Sequence, residues 1–109
     1  MRSDRERLRD IEESIAKIER YANQGKGAFF ANELIQSWVL LQLQVISEAA
    51  RSMSAKTYTE HPEVSWRDII DFRNLLVHEY FRVDLELVWR IVEQELPTLK
   101  YQIDSILRE

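Results

Sequence analysis

The chain has 109 residues, enough for one domain around one hydrophobic core and too few for two. It has no cysteine, which excludes a disulfide framework and a thiolate metal site, and we find neither a signal peptide nor a membrane-spanning apolar run. The net charge of −4 argues against a dedicated duplex-DNA binder, although a local arginine patch can still hold phosphate. We therefore expect one soluble, cytoplasmic domain over residues 1–109.

Few glycines and prolines and many helix-forming residues predict an all-helical chain. The first helix is expected to begin at Ser3 or Asp4, either of which can cap it, and to end in the glycine-containing stretch 23–27. Its apolar residues recur at steps of three and four, as on one face of an amphipathic helix: Leu8, Ile11, Ile15, Ile18 and Ala22. Acidic and basic residues are mixed on the other faces, which predicts a solvated surface.

A second helix is predicted from about Ala28 to Ser54, with a length of ~40 Å. Its apolar arc covers more than half of the circumference and contains Leu34, Ile35, Trp38, Val39, Leu41, Val45, Ile46, Ala49, Ala50 and Met53. Such a wide arc is typical of a helix that is central in a bundle or buries a second face in an oligomer. Gln42 falls within the arc. The narrow polar side is shared by Ser37, Gln44, Ser47, Glu48 and Arg51, of which Glu48 and Arg51 have the spacing of an ordinary surface pair.

Residues 55–63 are predicted to form a loop that exposes His61 beside Pro62. A third helix opens at Ser65, where Asp68 three residues later gives an approximate capping box. This helix carries the polar residues discussed below.

A fourth helix begins near Asp84, and Pro97 either interrupts it or starts a last short helix. The inward face of that last helix is formed by Leu99, Ile103, Ile106 and Leu107. Short connections between these segments favour an all-α, four- to five-helix up-and-down bundle.

The run Arg73-Asn74-Leu75-Leu76-Val77-His78-Glu79-Tyr80-Phe81 places polar groups in a largely apolar segment of the third helix. Asn74 and His78 share a polar stripe that on pattern alone is as well explained by a solvated surface. Arg73 instead projects from the apolar arc, where a guanidinium must be paired, snorkel to solvent or serve a function. Arg73 and His78 are separated by ~140° around the helix, so they would converge at the edge of a cleft or from two copies across a twofold axis.

Arginine and histidine without an acidic or cysteine cluster suit metal-independent RNA cleavage. Histidine can take the proton from the 2′-hydroxyl, while the planar fork of arginine holds the phosphate and stabilises its developing charge. Asn74, one turn before His78, could orient the imidazole or contact the phosphate. The chain has no HExxH motif, no histidine cluster and no glycine-rich phosphate loop, so we predict no metal site and no cofactor.

The run from Arg73 to Tyr80 has the form RxxxxHxY and resembles the signature of HEPN-domain proteins, specifically of the HepT toxin branch. The similarity extends through residues 62–70 and 81–85, and residues 42–50 resemble the long second helix of that family. The resemblance implies a homodimeric helical bundle in which two motif helices form a shared cleft. It also implies a metal-independent endoribonuclease, the toxin of a type II toxin–antitoxin system, with Arg73 and His78 catalytic and Asn74 in support.

The same resemblance implies a partner, a minimal nucleotidyltransferase antitoxin of the MntA type that transfers AMP to the motif tyrosine, here Tyr80. The added bulk and negative charge would repel RNA phosphate from the cleft. Without the resemblance, Tyr80 is equally well explained as a core residue with its hydroxyl at the boundary. Two further alternatives stay open: a non-catalytic helical subunit that binds a nucleotidyltransferase or nucleotide, and a structural dimer in which Arg73 and His78 pair with carboxylates.

Overall fold

A computed structural model of the chain describes residues 2–72, 74 and 83–109. In these ranges the structure is helical and contains no strand, which confirms the predicted all-α class. The elements in chain order are α1 (Asp4–Ala22), α2 (Lys26–Ala31), α3 (Glu33–Arg51), α4 (Ala55–Glu60), α5 (Trp66–Ile70), α6 (Leu85–Arg90), a π-helical segment (Ile91–Glu95) and α7 (Leu96–Leu107). No helix in these ranges has both the length and the apolar character needed to cross a membrane.

The long helices α1, α3 and α7 surround the hydrophobic core. The start of α1 lies at Ser3, as predicted, because Ser3 and Glu6 form a reciprocal capping box there. Helices α1 and α3 run antiparallel, since Asp4 contacts Ser54 and the Trp38 indole donates to the carbonyl of Lys17. The largest fully buried side chains are contributed by several elements: Ile11, Ile15, Ile18, Phe29, Val39, Leu43, Ile46, Val88 and Ile103.

The predicted second helix is wrong in one respect, because the structure divides it into α2 and α3. Asn32 separates them in an extended conformation, and its side-chain oxygen accepts from the backbone N–H groups of Leu34 and Ile35. An N-cap of this kind competes with continuation of the preceding helix, which explains the break. The predicted apolar arc is buried along much of α3, but Leu34 is 81% exposed.

The predicted loop at residues 55–63 is also wrong in part, because residues 55–60 form α4. The carboxylate of Asp4 accepts hydrogen bonds from the hydroxyl groups of Ser54 and Thr57, so the beginning of α4 is held against the beginning of α1. His61 was expected to be exposed, yet its side chain is only 12% exposed. The chain folds back after His61, and the Trp66 indole donates to the His61 carbonyl at 2.9 Å.

Of the two alternatives for Pro97, the structure favours the second: Pro97 lies in the first turn of α7, which follows α6 and the π-helical segment without a break. Pro97 is the second residue of α7 and lacks the N–H that an α-helix would use at this point. Just before it, the Leu96 N–H donates to Ile91, five residues back, which is the π-helical pattern. The inward face of α7 is confirmed, with Leu99, Ile103 and Ile106 buried and Leu107 half-buried.

Candidate functional site

Of the four residues predicted to form the site, the structure describes one. Asn74 is exposed, and its backbone N–H donates to the carbonyl of Asp71 at 2.9 Å. Arg73, His78 and Tyr80 lie outside the described residues, so their roles stay predictions. The described residues on both sides of the motif define the scaffold that carries it.

The segment that leads into the motif is attached to α3 by a buried hydroxyl. Ser47, which is only 4% exposed, donates from Oγ to the carbonyl of Ile70 at 2.7 Å. Ile70 is the last residue of α5, so this bond satisfies one of the carbonyls that a helix end leaves without an intrahelical partner. The sequence pattern had placed Ser47 on the polar side of its helix and gave no sign of this contact.

A second attachment is made by Trp66 at the start of α5. Its buried ring packs edge-on against Tyr58 with ring centroids 5.6 Å apart, and Tyr58 donates its hydroxyl to the carbonyl of Ala50 at 2.7 Å. Burial raises the pKa of the Tyr58 hydroxyl. The predicted capping box is not formed, because the Ser65 side chain makes no capping hydrogen bond. Aromatic packing therefore holds this end of α5.

Both flanks of the motif are fixed to the core. Phe72 is buried immediately before it, and Val83 packs against the core immediately after it. Asp84 then caps α6 by accepting from the Leu87 N–H at 3.1 Å, as the sequence predicted. The described residues on both sides of the motif therefore belong to one packed core.

A cleft of about 330 Å³ lies between the end of α5 and the α6–π-helical segment. Its lining is given by Asp68, Asp71, Phe72, Leu87, Arg90, Ile91 and Glu95. The described lining residues comprise three apolar side chains, three carboxylates and one guanidinium. Carboxylates repel phosphate and accept from N–H groups, so the described part of this lining suits a donor-bearing group such as a nucleobase edge better than a phosphate.

The sequence pattern did not indicate this cleft, because the residues that line it come from three elements with different periodicities. Pro97 was the only local signal of the π-helical segment that supplies Ile91 and Glu95. Within the described part of the chain, no group of three or more histidine, aspartate or glutamate side chains is arranged to hold a metal ion.

Comparison with known proteins identifies relatives over nearly the whole chain. The family model described as ribonuclease HepT-like matches residues 11–106. A gamma-glutamylcyclotransferase and putative RNase of Methanocaldococcus jannaschii is 32% identical over 103 residues, which cover 94% of this chain and 46% of that protein. A probable ribonuclease HepT of Thermococcus cleftensis is 31% identical over 106 residues, 96% of either chain.

A putative RNase of Caldanaerobacter subterraneus is 28% identical over 92 residues, which cover 84% of this chain and 82% of that protein. The chain thus spans about half of the Methanocaldococcus protein and nearly all of the Thermococcus one. No solved structure gives a significant match.

Proposed function

The chain belongs to the HepT-like family, and on that premise we propose that it is an endoribonuclease whose reactive groups are Arg73 and His78. The observation that carries the proposal is the run from Arg73 to Tyr80, which combines an arginine, an imidazole and a phenol inside the family match. The names of the relatives, a probable ribonuclease HepT and several putative RNases, support the same activity.

In the proposed reaction, His78 accepts the proton of a ribose 2′-hydroxyl as the 2′-oxygen attacks the adjacent phosphorus. The bond from phosphorus to the 5′-oxygen breaks, and that oxygen takes up a proton. The products are a 2′,3′-cyclic phosphate and a free 5′-hydroxyl. Arg73 binds two phosphate oxygens through its planar fork and stabilises the negative charge that grows on them.

Asn74 is proposed as the supporting residue. It is exposed, and it lies four positions before His78, which is about one turn on the predicted helix, so its amide could reach either the imidazole or a phosphate oxygen. The bond from Ser47 to Ile70 and the burial of Phe72 support this role, because they fix the backbone from which Asn74 projects.

We propose that no metal ion takes part, since the arginine supplies the positive charge that a divalent cation would otherwise bring to the phosphate. We also propose no cofactor. The substrate is cellular RNA, and the motif helices of two copies form the shared cleft in which it binds. The one domain is proposed to span residues 1–109 and to act in the cytoplasm.

The physiological role that we propose is that of a toxin restrained by a minimal nucleotidyltransferase antitoxin. The hydroxyl of Tyr80 attacks the α-phosphorus of ATP, AMP is attached to the tyrosine oxygen, and pyrophosphate leaves. The new phosphate places negative charge beside the cleft and repels RNA. A mass increase of one AMP group after co-expression with the partner, absent in Tyr80→Phe, tests this step.

The central test compares His78→Ala with His61→Ala, which removes the other histidine of the chain. The control keeps the His61 backbone carbonyl that accepts from Trp66, and circular dichroism verifies that the variant is folded. We expect His78→Ala to abolish RNA cleavage and growth arrest, and His61→Ala to retain both.

Wild-type cleavage should persist in EDTA and leave a cyclic phosphate. Dependence on added magnesium would contradict the mechanism, as would full activity in His78→Ala. A protein that binds the nucleotidyltransferase tightly and leaves RNA intact at every dose would instead favour the non-catalytic alternative.

A further inference from the structure

Helix α3 carries a row of apolar side chains that the core does not cover. Leu34, Leu41 and Val45 are 81%, 50% and 38% exposed, and Trp38 between them is half-buried. These positions follow one another at steps of four, three and four and therefore share one face of the helix. We call them the apolar row. Among the described residues, the other exposed large hydrophobic side chain is Tyr101, on α7.

Helix α1 carries a row of charges on the same face of the molecule, formed by Asp10, Glu13, Lys17 and Arg20. We call these residues the charged row. Asp10, Glu13 and Lys17 line a groove of about 310 Å³ together with Leu41 and Val45 of the apolar row. The two rows therefore lie side by side.

The spacing of residues within each row is the same when read in either direction along its helix. The centres of the two rows lie at about the same height in the bundle. The apolar row is symmetric about the point between Trp38 and Leu41, and the charged row about the point between Glu13 and Lys17. These midpoints lie at similar heights, since Trp38 donates to the carbonyl of Lys17 at 3.0 Å. A twofold axis at this level maps each row onto itself with the helices antiparallel.

From this we propose that the α1–α3 face binds a second copy of the chain, antiparallel about that twofold axis. Leu34 then packs against Val45 of the second copy, and Trp38 packs against Leu41 of the second copy. The exposed apolar surface of both chains is removed from water, which provides the driving force for association.

The charges favour a second copy as the occupant. In the charged row the two acids come first and the two bases follow, so reversal by the twofold axis places unlike charges opposite each other. Asp10 meets Arg20 of the second copy, and Glu13 meets Lys17 of the second copy. Within one chain Asp10 already pairs with Arg2 at 2.7 Å and Lys17 lies 3.4 Å from Glu13, but solvent-accessible pairs of this kind contribute little by themselves.

The size of the face is adequate for a stable contact. Each of α1 and α3 has 19 residues and is therefore about 28 Å long, and two neighbouring helices are about 20 Å wide. Their combined face is roughly 600 Å² in projection, comparable with the ~800 Å² that each partner buries in a standard interface.

This contact does not depend on the proposed ribonuclease activity. Ser47, which holds the segment leading into the motif, lies ~140° around α3 from Leu41 and Val45. A second copy on the α1–α3 face therefore leaves the motif side of the same helix free. The contact is additional to the cleft that the motif helices are proposed to share.

Engineered cysteines test the register, and they are unique because the chain has none of its own. We expect the double variant Leu34→Cys/Val45→Cys to form a disulfide-linked dimer on mild oxidation. Leu34→Cys alone should form little disulfide-linked dimer, because in the proposed arrangement the two copies of residue 34 lie about 16 Å apart along the paired helices. Tyr101→Cys is the exposed control. The proposal would be overturned if the double variant formed no dimer, or if Leu34→Cys alone formed as much dimer as the double variant.

Charge reversal tests the pairing independently of any disulfide. We expect the all-basic variant Asp10→Lys/Glu13→Lys and the all-acidic variant Lys17→Glu/Arg20→Glu each to have a lower mass by light scattering than the wild type. An equimolar mixture should recover the wild-type mass, because unlike charges again face each other. An unchanged mass in both separate variants overturns the proposal, and circular dichroism verifies that each variant is folded.

Discussion

The indole groups of Trp66 and Trp89 are both buried, but only that of Trp66 has a hydrogen-bond acceptor among the residues that the structure describes. Trp66 donates to the carbonyl of His61, whereas Nε1 of Trp89 has no acceptor among the described residues. A buried donor without an acceptor costs about 1–3 kcal/mol, whereas a satisfied one contributes about 1 kcal/mol. Trp89 is retained for its packing, since its ring lies 5.3 Å from that of Phe29.

Replacing each tryptophan by phenylalanine should separate these two effects. We expect Trp66→Phe to lower the free energy of unfolding by about 2 kcal/mol, because it removes both volume and a hydrogen bond. Trp89→Phe should cost at least 1 kcal/mol less, because loss of the unsatisfied donor offsets the lost volume. Urea denaturation of the two variants measures the difference, and an equal loss in both would refute it.

Residues whose role depends on distant partners were the hardest to predict. The recurrence of apolar positions at steps of three and four identified Ile11, Ile15, Ile18 and Ile103 as core residues. This worked because the helical period determines which face of a helix is buried. Ser47 was placed on a polar face, and its bond to Ile70 spans 23 positions that no local pattern connects. Arg73 and His78 were recognised through the family signature.

At the scale of elements, α1 is fastened to the junction of α3 and α4 by one carboxylate. Asp4 accepts from the hydroxyls of Ser54 and Thr57 and from the backbone N–H of Ser54, and Arg7 lies 3.7 Å away. The hydrogen bonds from Ser54 and then Thr57 are the largest causes that lower the pKa of Asp4. The folded state therefore prefers the ionised carboxylate.

Because the pKa of Asp4 is lower in the folded than in the unfolded chain, its contribution is complete above the unfolded value of about 3.9. The contribution is lost as the pH falls through the lower, folded value. We expect Asp4→Asn to lower the free energy of unfolding by about 1 kcal/mol at pH 7, with the difference from wild type shrinking below pH ~3.9. Urea denaturation across this range measures it, and Thr57→Val should give a loss with the same pH dependence.

Helix existence was easier to predict than helix continuity. The long amphipathic periods of α1 and α3 dominate their local sequences, so both helices were expected. The break at Asn32 depends on a side-chain oxygen that competes with the backbone, and the π-helical segment depends on Pro97 within a packed helix. In both cases the geometry depends on which partner one hydrogen-bonding group takes. The hydrophobic periodicity of the sequence gives no information about that pairing.

At the scale of the whole molecule, the two faces of α3 have different proposed partners. One face carries the apolar row, and the other holds Ile70 and hence the segment leading into the motif through Ser47. A second copy on the first face would leave the Ser47 side of α3 free for the proposed motif cleft. Assemblies larger than a dimer then follow from the combination, without any further contact surface.

The shared motif cleft leads to a prediction about mixtures of inactive chains. On the helix that the sequence predicts, Arg73 and His78 would point ~140° apart, so a working pair is expected to combine Arg73 of one copy with His78 of the other. Arg73→Ala and His78→Ala should each be inactive alone, yet a mixed dimer retains one intact pair. An equimolar mixture refolded together should recover about a quarter of the wild-type rate, since half of the dimers are mixed and each has one working pair of two. RNA cleavage measured before and after co-refolding tests this, and a mixture as inactive as its components would place both groups in a single chain.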